Sequence, residues 1–218
     1  MRNLIVHDNF YQNPEAVRDV ALKCEYSDVR SLNYPGFQSV RCFSNAGLIG
    51  NFSEIVGENL DVRPEALTFG RFRIMLATSH SHLKVHVDDG ADWSGLIYLN
   101  PDTQCAGGTA FYRHRRTGLY APPPTRSDGA PESFSTTSTR KILEDDTLDE
   151  SAWERVMFVA MKFNRLILFR GSRLFHSHTH GFGHSTSDGR LTQNFFFNAS
   201  KEEPCAQQGL RELHQVTA

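Results

Sequence analysis

The chain has 218 residues, 39 % hydrophobic and 22 % charged, with 23 Lys and Arg against 25 Asp and Glu for a formal net charge of −2. At this length folding hides roughly 70 % of the surface an unfolded chain exposes, so one domain over 1–218 needs neither disulfide nor structural metal to hold its core. There is no global basic field to draw nucleic acid and no apolar run near the roughly 20 residues of a membrane-spanning helix, so neither nucleic acid nor membrane is expected as a partner.

The opening Leu4-Ile5-Val6 predicts a short strand; His7 and Asp8 end its apolar run too soon for a secretory signal, and a cytoplasmic location is expected. Asn13-Pro14-Glu15 supplies an N-cap, a proline at the first helical position and a first-turn acid. Val17, Val20, Ala21 and Cys24 then keep helical spacing, which predicts a helix over about 14–24. Tyr34-Pro35-Gly36 marks a turn. Leu48, Ile49, Phe52, Ile55, Val56 and Leu60 again share a helical stripe, predicting a second helix within 45–60 that Gly50 and Gly57 weaken.

Beyond Pro64 the pattern changes to short β-like runs at 66–77, 85–87, 95–99, 109–112, 156–163, 166–169 and 191–197, with Asn164 as a turn. Many short strands without intervening helices predict a mainly β, antiparallel sandwich or barrel over 66–199, supported by the helical stretch 1–65 and followed by a tail at 200–218. Between Arg115 and Glu150 the chain turns polar, with Pro122-Pro123-Pro124 and a Ser/Thr cluster at 135–139, and reads as a loop or lid; Leu148 to Trp153 predicts a helical turn.

Cys24, Cys42, Cys105 and Cys205 lie far apart with no C-x-x-C pair and read as ordinary reduced thiols, whereas ten His invite a search for metal ligands. His86-Val87-Asp88 ends a short run, and residues two apart on a strand share a face, so one imidazole and one carboxylate can meet one cation. Fe(II) centres that activate oxygen take two His and one carboxylate on one face of an octahedron, leaving the other face open. The second His is expected from another strand: 164–169 ends at Arg170-Gly171-Ser172 and is followed by Leu174-Phe175-His176-Ser177, which makes His176 the candidate. Gly189 starts the last long strand. There Arg190 can grip a carboxylate with two prongs, and Thr192, on the same strand face, can add a hydroxyl.

These pieces, in order His86-Val87-Asp88, Gly95-Leu96-Ile97-Tyr98-Leu99-Asn100, Gly107-Gly108-Thr109, Asn164 to Phe169, His176-Ser177 and Gly189-Arg190-Leu191-Thr192, resemble the 2-oxoglutarate and Fe(II)-dependent oxygenases, in particular the prolyl-hydroxylase-like branch. The resemblance covers about 66–199, and the stretch from Asp8 through Gly36 is also similar to a bacterial subgroup of that family.

The resemblance implies a double-stranded β-helix, a jelly-roll barrel related to the cupins, with N-terminal helices packed on one sheet. Fe(II) would be held by His86, Asp88 and His176. The cosubstrate 2-oxoglutarate would be held by Arg190, Thr192 and Tyr98, with O2 as oxidant. Implied is a dioxygenase, most simply a hydroxylase of a small molecule, amino acid or peptide residue, that releases succinate and CO2. Asp88 stands where halogenating members carry a small residue, which favours hydroxylation; desaturation and ring closure use the same ligands.

His178 and His180 share a strand face with His176, and His184 follows, so spacing alone leaves that ligand open; the family's Leu-Phe-His-Ser ending selects His176. His80 and His82 share the alternation of His86 but have no acid two positions on. Arg71, Arg73, Arg113, Arg115 and Arg116 offer a basic rim for an acidic substrate. The rival reading is a cupin-like metalloprotein that binds or isomerises a ligand without oxygen chemistry, which has no need of an anion clamp at Arg190.

Overall fold

Two asparagines begin the N-terminal helices. In the computed structural model, which describes residues 3–30, 35–64, 66–79, 84–124 and 134–200, the Asn13 side chain accepts from Ala16 N–H (3.1 Å) and opens α1 (Pro14–Lys23). The Asn45 side chain accepts from Leu48 N–H (2.8 Å) and opens α2 (Ala46–Val56). Gly57, at φ 73°, stops α2 by donating its N–H to Ser53. The expected helix is therefore four residues shorter than its apolar stripe, because this glycine acts as a stop and not as a weak interior residue.

The remainder is mainly β. The strands are β1 (Leu4–His7), β2 (Tyr26–Asp28), β3 (Phe37–Ser39), β4 (Leu60–Asp61), β5 (Phe69–Met75), β6 (Trp93–Tyr98), β7 (Gly108–His114), β8 (Trp153–Ala160), β9 (Leu166–Phe169), β10 (His176–His178) and β11 (Arg190–Ala199). All pair antiparallel. The larger sheet runs β1-β9-β6-β11-β5-β3-β2 with β4 also on β11, and the smaller runs β10-β7-β8.

Period-two alternation sorts the side chains between layers. Leu191, Phe195 and Phe197 of β11, Trp93 and Ile97 of β6, and Leu166 and Leu168 of β9 join one core with Ala21 of α1 and Leu48 and Phe52 of α2. The Phe52 ring meets Phe69, Phe195 and Phe197 at centroid distances of 6.0, 4.8 and 5.8 Å. The alternate residues Leu96, Tyr98, Ile167 and Phe169 face the smaller sheet and pack with its Phe111 and Val159.

Two expectations differ from the structure. Residues 85–87 form no strand: Val85 N–H donates to Thr147, His86 makes one isolated bridge with His176, and Asp88 N–H donates to Gly171, so three neighbours serve three different partners. The polar stretch 115–150 contains the helix α3 (Phe134–Asp145) and a 3-10 turn at Glu150–Ala152, although 125–133 lie outside the described residues. Leu143 of α3 is buried with Tyr112, Trp153 and Phe175, and that packing supports a helix whose Ser/Thr-rich start has poor propensity. Asn164 is at φ 59°, the turn conformation expected of it, with its side chain accepting from Tyr11 N–H and donating to Tyr11 carbonyl, both at 2.8 Å. His80, His82, Tyr34, Cys205 and the tail at 201–218 lie outside the described residues.

Candidate metal and anion site

The single bridge between 84–88 and β10 brings two imidazoles to one point. His86 and His176 exchange backbone hydrogen bonds of 3.0 and 2.9 Å, and their ring centroids are 4.5 Å apart. Asp88, two residues on, completes the group: its Oδ1 is 3.7 Å from His86 Nε2 and its Oδ2 is 3.2 Å from His176 Nε2. The ligand atoms of His86, Asp88 and His176 all lie within 4.8 Å of one another.

Hydrogen bonding settles which ring nitrogens face inward. Nδ1 of His86 lies 2.9 Å from the Lys84 carbonyl and Nδ1 of His176 lies 2.8 Å from the Leu174 carbonyl. A carbonyl only accepts, so both Nδ1 atoms donate to the backbone and both Nε2 atoms are the ones turned toward Asp88. Ser94 Oγ donates to Asp88 Oδ2 at 2.5 Å and orients the carboxylate. Gly171 leaves room for that contact: a Cβ there would come within 2.0 Å of Ser94 Oγ and 2.9 Å of Asp88 Oδ2.

Electrostatics bear on His86 and Asp88. Burial, with His176 adding to it, lowers the His86 pKa to about 4, so the ring is neutral at pH 7. Burial raises the Asp88 pKa, but His176, His86 and the Ser94 hydrogen bond outweigh it and hold the carboxyl well below the ordinary carboxylate range. Two inward-facing imidazole nitrogens and one carboxylate fit a divalent first-row cation. Donors about 2.1 Å from such an ion stand about 3 Å apart on one octahedral face, near the separations found here.

The group lines a cavity of about 820 Å³, whose lining also includes Leu96, Thr109, Phe169, His178, Arg190 and Asn194. Arg190 is only 2 % exposed, and its Nε and one terminal nitrogen have no hydrogen-bond partner. A buried guanidinium so placed demands an anion, because desolvation of an unmatched charge costs several kcal/mol, on the order of what a carboxylate contact returns. The lining thus fits both a divalent cation and an organic dianion.

The other expected residues stand behind this surface. The Tyr98 hydroxyl is buried 2.8 Å from Thr109 Oγ1. Thr192 is buried and its hydroxyl donates to Asn194 Oδ1 at 2.7 Å. Among the described residues it is Thr109 and Asn194, not Tyr98 and Thr192, that line the cavity. Sequence reasoning missed Ser94, Thr109, Gly171 and Asn194 as site residues. The signal for Asn194 was available, since it continues the two-residue alternation from Arg190 and Thr192; the other three are marked only by contacts that sequence does not display.

His178 lines the cavity, and burial, then the Arg190, His86, His176 and Arg73 charges, lower its pKa to about 3. His180 and His184 are exposed. No helix among the described residues is long and apolar enough to cross a membrane.

The chain is similar to several solved structures. One is an N-substituted L-amino acid dioxygenase from Burkholderia ambifaria AMMD, 13 % identical, covering 88 % of this chain and 81 % of that one with a TM-score of 0.38. Another is HygX from Streptomyces hygroscopicus, solved with nickel, 2-oxoglutarate and hygromycin B bound, 12 % identical, covering 91 % and 84 % with a TM-score of 0.49. A third is TqaL, an Fe(II)/α-ketoglutarate-dependent dioxygenase, 11 % identical, covering 92 % and 84 % with a TM-score of 0.41. No curated protein matches. A family model matches residues 1–197, and the chain belongs to that family, the Family of unknown function (DUF6445).

Proposed function

We propose that the protein is a non-haem Fe(II), 2-oxoglutarate-dependent dioxygenase that hydroxylates a small molecule, amino acid or peptide residue. One observation carries the reading: the His86, Asp88 and His176 ligand group lines the same cavity as the Arg190 guanidinium, whose Nε and one terminal nitrogen have no hydrogen-bond partner. An ion site alone fits many metalloproteins; an ion site sharing its cavity with a buried, unmatched cation calls for an anionic molecule that binds both. The paired antiparallel sheets with the site between them support a double-stranded β-helix of the prolyl-hydroxylase-like kind.

When bound, Fe(II) with 2-oxoglutarate and O2 supplies the oxidising power to place oxygen in a C–H bond, with succinate and CO2 released. The chain's own contribution is orientation and exclusion. His86, Asp88 and His176 hold the ion by one face, their rings fixed by the Lys84 and Leu174 carbonyls and the carboxylate by Ser94. Arg190 would pair with the far carboxylate of 2-oxoglutarate, with Thr109 and Asn194 offering polar groups from the same cavity lining and Tyr98 and Thr192 orienting those two through the hydroxyl contacts described above. Leu96 and Phe169 give the cavity an apolar wall, the Phe169 ring lying 4.6 Å from that of His176.

The test is anaerobic addition of Fe(II) and 2-oxoglutarate to the full chain. A weak visible charge-transfer band, followed by succinate release on admitting oxygen, is the expected result. Folded protein that gives no band supports a jelly-roll binding module without this metal chemistry instead.

A further inference from the structure

We propose that Asn100 is the positioning residue of the anion clamp: it bonds the peptide groups on both sides of Arg190 and so keeps that guanidinium in the cavity wall before any anion binds. The proposal rests on the reading of Arg190 as the holder of a 2-oxoglutarate carboxylate and deepens it by naming what holds the holder.

Arg190 stands where the sheet runs out. It is the first residue of β11, and its partner on β5, Met75, is the last residue of that strand. On the other side the ladder with β6 stops two residues further in, where Thr192 faces Tyr98. Strand ends open more readily than strand centres. A buried guanidinium whose Nε and one terminal nitrogen have no hydrogen-bond partner also gains hydration by swinging out. Pairing with β5 on one flank leaves that route open, so a clamp kept ready in the absence of its anion needs a restraint on the other flank.

Asn100, two residues past the end of β6 and fully buried, supplies it. Its Nδ2 donates to the Gly189 carbonyl at 2.8 Å, and its Oδ1 accepts from Leu191 N–H at 2.7 Å. Those are the two peptide groups that flank Arg190, so one planar amide fixes the backbone on either side of it. Leu99 N–H donates to the Leu191 carbonyl at 3.1 Å, and from there the Asn100 side chain continues the β6 flank of the ladder. Only an amide brings a donor and an acceptor to this task on one rigid group. Nor is the amide free to turn over: its Nδ2 also donates to Gln104 Oε1 at 3.3 Å, and reversal would set oxygen against the Gly189 carbonyl and NH2 against Leu191 N–H. Arg18 of α1 draws the same two segments together, donating to the carbonyls of Leu99 at 2.8 Å and Ser187 at 2.6 Å. With its backbone so held, Arg190 lies over the Tyr98 ring, the guanidinium carbon 5.5 Å from the ring centroid.

The test titrates 2-oxoglutarate calorimetrically into the full chain with Fe(II), oxygen excluded. N100A should weaken 2-oxoglutarate binding by about tenfold or more, while Fe(II) affinity measured without 2-oxoglutarate stays within about twofold. N100D, which keeps an acceptor for Leu191 and loses the amide donor to Gly189, should fall between N100A and the unmodified protein. In an R190M background N100A should change 2-oxoglutarate affinity by less than about twofold, since an effect exerted through the guanidinium disappears with it, whereas a general loosening of the fold would persist. Unaltered 2-oxoglutarate binding by N100A, an equal loss in the R190M background, or a matching loss of Fe(II) affinity each overturns the proposal. Hydrogen exchange in the unmodified, ligand-free chain decides even if neither variant folds: the Leu191 amide should exchange at least about 100-fold more slowly than a free amide, and exchange at the free rate overturns the proposal. R190M binding 2-oxoglutarate as tightly as the unmodified protein would overturn the reading of Arg190 itself, whereas weak binding by R190M with tight binding by N100A overturns this inference alone.

Discussion

His86 and His176 are joined backbone to backbone, each donating its N–H to the other's carbonyl, at 3.0 and 2.9 Å. The imidazoles are thus held side by side by main-chain bonds that no side-chain substitution removes. Replacing His86 by Ala should lower Fe(II) affinity by more than about 100-fold, since even the outer partners of metal ligands are worth 10–100-fold, and Asp88→Ala should do the same. The thermal midpoint of H86A without metal should stay within about 4 °C of the unmodified protein, because burial and not the ion sustains a chain of this length. Metal titration and circular dichroism melts read the two effects, and tight binding by either variant would show the ligand set to be wrong.

Gly171 stands against the Asp88 and Ser94 contact, where an added Cβ would meet both side chains. Gly171→Ala should cost about 1–3 kcal/mol in urea unfolding and weaken metal binding, as the new methyl drives Ser94 off the carboxylate. Adding Ser94→Ala removes the atom it strikes and should restore part of the stability. Equal stability of the single and double variants would locate the strain elsewhere.

Arg190 predicts opposite effects on binding and on stability. Arg190→Ala should weaken 2-oxoglutarate binding by about 2–4 kcal/mol, roughly 30- to 1000-fold in Kd. Arg190→Met, which keeps bulk and drops the charge, should stabilise the ligand-free protein by about 1–4 kcal/mol, since a buried unmatched cation is removed. Calorimetry and urea midpoints measure the pair. A Met variant less stable than the parent would mean that the guanidinium has a counter-charge after all.

Acid should loosen the metal-free protein in a definite window. His86 and His178 are lowered to about 4 and about 3 from the ordinary 6.5, so between those values and 6.5 the unfolded chain binds more protons than the folded one. Unfolding then takes up protons, and stability falls as pH falls. The depressed carboxylates Asp8 and Asp88 act only below their ordinary value near 3.8, which leaves pH 6.5 to 4 to the imidazoles. Urea midpoints at pH 7 and pH 5 should differ, the lower belonging to pH 5, and the gap should shrink in His178→Asn.

What was legible in the sequence was what periodicity encodes. Two-residue alternation orders β6, β9 and β11 into their two faces and puts Arg190 at the head of its row, whereas His86 and Asp88 meet without the strand that suggested their pairing. Three-residue strands such as β2, β3 and β10 carry no period to read. The helix α3 was hidden because its support, Leu143 against Trp153 and Tyr112, is tertiary, while its own Ser and Thr argue for loop. Which hydroxyl reaches the cavity was equally hidden: Thr192 turns to Asn194 two residues along its own strand, a local choice that alternation does not encode.

Leu143 and Glu144 of α3 line the cavity, and α3 packs through Leu143 against Tyr112, Trp153 and Phe175. The ion ligands and Arg190, by contrast, belong to the bridged and paired backbone. On the proposed function, substitutions in the exposed turns of this helix should alter which molecules the cavity admits while the geometry that would hold the ion stays as it is.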